Sequence, residues 1–312
     1  MNEFSQDLQV ESTVVRQHMC PSCGDGRMSL FYDVENVPVH SNLMQRSEQQ
    51  ARDFPVGDIH LGWCENCGFI SNIAYDANFK NYSPIYEDQQ SFSHTFNSFS
   101  DDLVTRLILK HALHDKDIIE IGCGKGDFLV QLCERGNNRG IGIDPAIIED
   151  RVHHNGQIRF IRDYYSEKYS SLQGDVYVCR HTLEHIHETG VFLRILRRSI
   201  RDRNALVFIE VPDVRRVLKE KAFWDIYYEH CSYFTAGALA RLFRRSDFAV
   251  TDLWFGYDDQ YLLIEAQPAD SGSNGHYQLE ESVNDLKREV DDFATLITAQ
   301  LEDWRQALDR MR

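Results

Sequence analysis

Residues 118 to 129 read IIEIGCGKGDFL, and the order of residue types in this stretch decides the fold. An apolar run carries Glu120 near its end, three glycines follow at spacing two (Gly122, Gly124 and Gly126), and an amphipathic stretch begins directly after them. The pattern predicts a buried strand, a tight turn and a helix. Glycine permits the turn and lets backbone amides approach a ligand closely before the helix starts. Two further apolar runs close on an acid, NRGIGID at Asp144 and IRFIRD at Asp163. Taken singly, each aspartate reads equally well as a solvated strand end or a helix cap. Three such motifs at the ends of consecutive strands point instead to a ligand site, because open α/β sheets bind ligands at the carboxyl ends of their strands. Asp144 is placed to accept hydrogen bonds from both ribose hydroxyls of a nucleotide-type cofactor, and Asp163 to meet its adenine amino group.

Outward from this loop, short apolar runs alternate with amphipathic intervals from about residue 101 to 267, the signature of βα repeats building a mostly parallel sheet. The expected strands are 117 to 122, 138 to 144, 158 to 163, 175 to 180 and 205 to 211. After the helical GALARLFRRS come FAVTDLWFGY and QYLLIEAQ, separated by only a few residues around Asp258 and Asp259. A parallel crossover needs a dozen or more residues, so these last two strands must pair antiparallel.

The 312 residues carry a net charge of -16, which disfavours a nucleic-acid partner or an anionic membrane surface. The N-terminal MNEFSQDLQVEST has neither the basic start nor the apolar run of a signal peptide, and no stretch is long and apolar enough to span a membrane. A cytoplasmic protein is expected. In a reducing compartment the eight cysteines are not a disulfide framework. Four of them form the pairs Cys20-Pro-Ser-Cys23 and Cys64-Glu-Asn-Cys67, each followed by glycine and separated by 40 residues. Two such knuckles supply four thiolates for one tetrahedral zinc. With no coordination position left open, that zinc is structural.

Five segments follow from these patterns: a zinc-binding lobe (1 to 75), in which LFYDVENVPVH reads as extended; an aromatic bridge or lid (76 to 100); the α/β domain (101 to 267); a linker (268 to 276); and a long amphipathic helix (277 to 312). The helix stripe, running from Leu279 to Met311, must bury itself against a partner helix or the body of its own chain, and self-association through it is one expectation. The helix has no C-cap signal at the last residue, which suggests a chain cut from a longer parent.

Chemistry beyond the cofactor is concentrated in two stretches. In RHTLEHIHE (180 to 188), His181 and His185 are four apart and on a helix would face one metal, but Thr182 replaces the glutamate of the usual hydrolase motif. His181, immediately past a strand end, is the better site candidate, with His185 and His187 read as capping or solvent-facing. In FWDIYYEHCSYFT (223 to 235), Tyr227, Glu229 and His230 bring acid, carboxylate and base functions within four residues. An aromatic core segment with one satisfied histidine is the plainer alternative.

The acidic-x-G-x-G-x-G form of EIGCGKG resembles the loop of class I S-adenosylmethionine (SAM) methyltransferases, in which Glu120 would help orient the amino acid portion of SAM. Together with CPSC, WCENCG, RHTLEH and YYEHCSYF, it makes residues 18 to 267 similar to the nucleotide-sugar C-methyltransferases. That resemblance implies a Rossmann-like seven-stranded sheet of the class I methyltransferase type, with a small N-terminal zinc lobe and here a C-terminal amphipathic helix instead of the family's second α/β domain. It also implies a small-molecule acceptor such as a keto nucleotide sugar. His230 would be the base, oriented by Glu229; Tyr227 and His181 would stabilise the enolate; and Tyr82 or, better, Tyr86 would close over the acceptor. The alternatives are an O- or N-methyltransferase for another small molecule and a non-catalytic module that binds zinc and SAM.

Overall fold

The computed structural model describes residues 18–79, 90–147, 156–269 and 275–311. The N-terminal lobe is built on β1 (Met28–Pro38), β2 (Val56–Cys64) and β3 (Ile70–Asn72), with one short helix, α1 (Glu48–Arg52), between the first two strands. These strands pair antiparallel in sequence order. The segment expected to be extended, Leu30 to His40, supplies most of β1.

Helix α2 (His94–His111), capped by the Ser93 hydroxyl, leads into the α/β body. There β4 (Asp117–Ile121), α3 (Asp127–Gly136), β5 (Arg139–Ile143), β6 (Ile158–Ile161), β7 (Val176–Arg180), α4 (Thr189–Ile200) and β8 (Leu206–Pro212) follow one another. Then come α5 (Val214–Glu220), the two-residue β9 (Ser232–Tyr233), α6 (Ala236–Arg245), and the strands β10 (Phe248–Gly256) and β11 (Tyr261–Pro268). The seven-stranded sheet has the order β10-β11-β8-β7-β4-β5-β6. Its five βα strands are parallel, and β10 and β11 form the antiparallel hairpin that loop length demanded. This is the class I methyltransferase sheet. Strand β7 is buried along its whole length, as a strand covered by helices on both faces must be.

Two differences from the expected boundaries matter. Strand β9, which lies in the YYEHCSYF stretch, pairs with β3 and completes the lobe sheet as its fourth strand. The lobe and the α/β body therefore share backbone hydrogen bonds. The C-terminal helix α7 starts at Val283, not at 277. Glu281, just before it, is buried and accepts from the Thr235 hydroxyl (2.6 Å) and the Gly237 amide (3.0 Å) at the start of α6. Glu280 forms a two-point pair with Arg244 (2.7 and 2.6 Å). These contacts hold residues 280 and 281 out of the helix, and Ser282 with Asp285 caps the new start reciprocally.

The apolar stripe of α7 returns to its own chain. Leu286, Val290, Phe293 and Ile297 are buried in a cluster with Tyr32, Trp63 and Val217, and Arg215 grips Glu289 alongside. Past Leu301 the stripe emerges, leaving Trp304, Leu308 and Met311 exposed. No described helix is long and apolar enough to cross a membrane.

At the other end of the lobe, the amides of Gly24 and Gly68 reach back to the carbonyls of Cys20 and Cys64 (both 2.8 Å), closing two equivalent knuckles. Both glycines have positive φ, +73° and +77°, as such turns require. The four sulfurs lie within 4.8 Å of one another, with Cys20 to Cys67 at 3.7 Å and Cys23 to Cys64 at 3.8 Å. Zinc–sulfur bonds of about 2.3 Å give a tetrahedron with edges of about 3.8 Å, so these residues fit a zinc ion.

Candidate active site

The carboxyl ends of β4, β5, β6 and β7 open into one cleft of about 980 Å³. Glu120, Gly122, Gly124, Gly126's neighbour Asp127, Asp144 and Asp163 line one half; His181, Glu184, His185, Tyr227 and His230 line the other. Of the site residues expected from the sequence, Glu120, Gly122, Gly124, Asp144, Asp163, His181, Tyr227 and His230 line this one cavity, and Gly126 and Glu229 do not. Tyr82 and Tyr86 lie outside the described residues.

In the first half, Gly122 turns at φ +69°, and a Cβ there would sit 2.0 Å from the Thr182 hydroxyl oxygen. At Gly126, the cap of α3, φ is +89° and a Cβ would strike the Phe160 ring at 2.4 Å. The loop is held down by Asp144, whose two oxygens accept from the amides of Gly124 (2.9 Å) and Ala146 (2.6 Å). Glu120 is buried beneath it. Burial pushes its carboxyl up to about 8 against the pull of Arg180, and its Oε2 has no hydrogen-bond partner among the described residues. An orphaned buried carboxyl oxygen beside a glycine loop fits the amino group of SAM. Asp163 lies two residues past the end of β6 instead of closing it, accepts from the Tyr169 hydroxyl (2.6 Å) and pairs with Lys168, which holds it below the usual carboxylate range.

In the second half, Tyr227 to His230 form a turn closed by the His230 amide on the Tyr227 carbonyl (3.2 Å). The turn explains which side chains meet. Its two end residues share one side, and the Tyr227 hydroxyl lies 2.7 Å from His230 Nε2. The central pair, Tyr228 and Glu229, projects into the lobe. There the Tyr228 hydroxyl accepts from the Asp76 amide (2.9 Å), and the Glu229 carboxylate accepts from the Ser41 amide (2.7 Å), the Ser41 hydroxyl (2.6 Å) and His40 Nδ1 (2.9 Å). The expectation that Glu229 orients His230 is therefore corrected: no hydrogen bond joins them, and the carboxylate ties the turn to the N-terminal lobe. Burial, with His185 and His181 nearby, pushes His230 well below its ordinary value, so its imidazole is neutral at neutral pH. Burial likewise keeps Tyr227 a phenol.

The stretch after β7 is not an α-helix. His181 takes φ +47°, and Leu183–His185 form a single 3-10 turn. His181 packs edge-on to Tyr261 at 4.5 Å, and its Nε2 lies 3.1 Å from Glu210 Oε1. Glu210 is fully buried. Despite that burial, Arg180 and His181 bring its carboxyl down to about 2. His185, read from sequence as a cap or a surface residue, instead donates Nδ1–H to the Glu229 carbonyl (3.0 Å) and sits 4.9 Å from the His230 ring. Glu184, which sequence reasoning passed over, is buried beside both, and burial raises its carboxyl to about 8. Its signal was present, since a glutamate next to a histidine just past a strand end belongs to the ligand-binding edge of the sheet.

A family model described as a methyltransferase domain matches residues 92–253. The C-methyltransferase NovU of Streptomyces niveus is 25% identical over 245 residues, covering 75% of this chain and 56% of that protein. The chain thus spans about half the length of the curated relative it matches. Solved structures similar to part of the chain include magnesium protoporphyrin IX methyltransferase of Synechocystis PCC 6803 with bound SAH (14% identity, TM-score 0.44, 56% of this chain and 84% of that one). Another is the 1,6-didemethyltoxoflavin-N1-methyltransferase of Burkholderia thailandensis (15% identity, TM-score 0.42, 74% and 100%). Because the family match takes in more than half of the chain and coincides with the seven-stranded sheet and its glycine loop, the chain belongs to the methyltransferase-domain family.

Proposed function

We propose that the protein methylates a carbon next to a keto group in a small activated sugar, a keto nucleotide sugar being the best match. The observation that carries this reading is the neutral Tyr227–His230 pair, 2.7 Å apart, in the cavity that also holds the glycine loop. Similarity to a C-methyltransferase supports the choice of carbon. SAM, when bound, supplies an electrophilic methyl group. Glu120, Gly122, Gly124 and Gly126 would hold its amino acid portion, Asp144 its ribose and Asp163 its adenine.

His230 is the base in this reading. A neutral imidazole in a dry pocket can take the proton alpha to the keto group, and the Tyr227 phenol and His181 stabilise the negative oxygen that results. Glu229 acts at one remove, fixing the turn through its grip on Ser41 and the position of His185 through its carbonyl. Tyr86 is proposed to close over the acceptor. The four cysteines Cys20, Cys23, Cys64 and Cys67 are proposed to bind a structural zinc that keeps the lobe, and through β9 this turn, in place. The segments 1 to 75, 76 to 100, 101 to 267, 268 to 276 and 277 to 312 are retained as functional units only with the shared sheet and later helix start described above.

The test is His230→Asn. Turnover of a 4-keto nucleotide sugar should fall about a hundred- to ten-thousand-fold, the usual loss for a general base, with SAM affinity little changed. Wild-type protein should exchange the alpha proton with deuterated solvent and the variant should not. Exchange and turnover at the wild-type rate would remove His230 from the mechanism.

A further inference from the structure

We propose that Arg180 is a carboxylate anchor in the cofactor half of the cleft: its guanidinium edge holds the α-carboxylate of the amino acid that SAM carries, beside the ammonium received by Glu120. The inference rests on the cofactor reading above and adds to it the residue that tells a zwitterionic amino acid from a simple amine. Arg180 closes β7, is 8% exposed and lines the cavity. Its Nε donates to Glu210 Oε2, while its Nη2 has no hydrogen-bond partner among the described residues. The centroid of the Phe128 ring lies 4.0 Å from its Cζ. An aromatic ring thus covers a face of the guanidinium, and the N–H edge is what remains for a ligand. A buried donor without an acceptor is costly, and a bound anion removes that cost.

Sheet register brings this donor beside Glu120. In the parallel pair of β4 and β7, Glu120 stands opposite Val178, and Arg180 follows two residues later. Side chains alternate along a strand, so Glu120, Val178 and Arg180 leave the same face of the sheet. A rise of about 6.6 Å over two residues and a strand spacing of about 4.8 Å put the Cα atoms of Glu120 and Arg180 about 8 Å apart. Arg180 pairs with Glu210 on β8, its neighbour on the other side, and among the described residues no ion pair joins it to Glu120. An orphaned acceptor on Glu120 and an orphaned donor on Arg180 therefore stand on adjacent strands, the complement of an ammonium and a carboxylate borne by one carbon. Of the other lysines and arginines lining the cavity, Lys125 reaches the Ala146 carbonyl (3.0 Å) and Arg216 faces Glu220 and Asp225. The charges also match. The ammonium favours the charged form of Glu120, and Glu120 with Glu210 then exceeds the guanidinium by one negative charge. SAM, with a sulfonium, an ammonium and a carboxylate, brings one net positive charge to offset it.

Calorimetry of the full chain with SAM and with decarboxylated SAM, which keeps the ammonium and the sulfonium and lacks only the carboxylate, tests the anchor. Wild type should bind SAM about ten- to a hundredfold more tightly, the range for hydrogen bonds to charged groups. Arg180→Gln combined with Glu210→Gln removes the buried pair without stranding either charge. This paired variant should lose about tenfold or more of the preference and still bind decarboxylated SAM within about threefold of wild type. Glu210→Gln alone keeps the guanidinium and should keep the preference within about threefold. Equal binding of the two compounds by wild type, or an undiminished preference in the paired variant, overturns the anchor and leaves the cofactor reading standing. A loss in Glu210→Gln as large as in the paired variant also overturns it, because the preference then belongs to the ion pair and not to Arg180. Wild type that binds neither compound overturns the cofactor reading and the anchor with it.

Discussion

The two halves of the cleft are built in opposite ways. The cofactor half is local: Glu120, the three glycines and the start of α3 fall within about ten residues, and Asp144 closes the next strand. The acid–base half is assembled from distant pieces. His40 and Ser41 come from the lobe, Glu184 and His185 from the turn after β7, and Tyr227 to His230 from the loop before β9, with Glu229 reaching a partner 189 positions away. A local motif carries its own geometry, because chain connectivity sets the distances. A non-local one depends on every packing contact between its segments, and those contacts include the lobe sheet that β9 completes.

The difference can be broken at several points. The largest expected effect is electrostatic and belongs to the cofactor half. Burial raises the Glu120 carboxyl from 4.5 to about 8, so the folded state holds a proton that the unfolded chain releases. Stability from this group is therefore full below pH 4.5 and is lost as pH rises through about 8. The span corresponds to a loss on the order of 5 kcal/mol. Urea unfolding of SAM-free protein from pH 5 to 8 should show wild type losing stability relative to Glu120→Gln, and parallel curves would reject the buried protonated carboxyl.

Next in size is Glu229→Ala. It leaves His40 and Ser41 without their buried acceptor, which typically costs about 3–5 kcal/mol for a broken buried pair. Turnover should fall with it because the turn bearing His230 loosens, yet SAM calorimetry at a temperature where the variant is folded should be near wild type. Loss of SAM binding in parallel with stability would mean that the two halves are one cooperative unit.

The smallest is Asp144→Ala. It removes the acceptor for the Gly124 and Ala146 amides and for the proposed ribose contact, at about 1.5–3 kcal/mol of SAM affinity for hydrogen bonds to a charged group. Solvent exchange at the acceptor carbon, a property of the other half, should survive at saturating SAM. Unchanged affinity would remove Asp144 from the cofactor site.

By itself the sequence determined the parallel sheet, its antiparallel hairpin, the glycine loop and the two cysteine knuckles, because each follows from residue types at short spacing: buried apolar runs, glycines where φ is positive, and a connection too short for a crossover. It also singled out His181, Tyr227 and His230, which line the same cavity as the glycine loop. It did not determine which way each side chain faces. That Glu229 turns to the lobe, that His185 and Glu184 turn to His230, and that the stripe of α7 covers its own chain as far as Ile297 were decided by tertiary structure alone. The physical reason is the same in each case. A turn places its central residues opposite its ends, and only the packing of that turn between two sheets decides which side is the cavity.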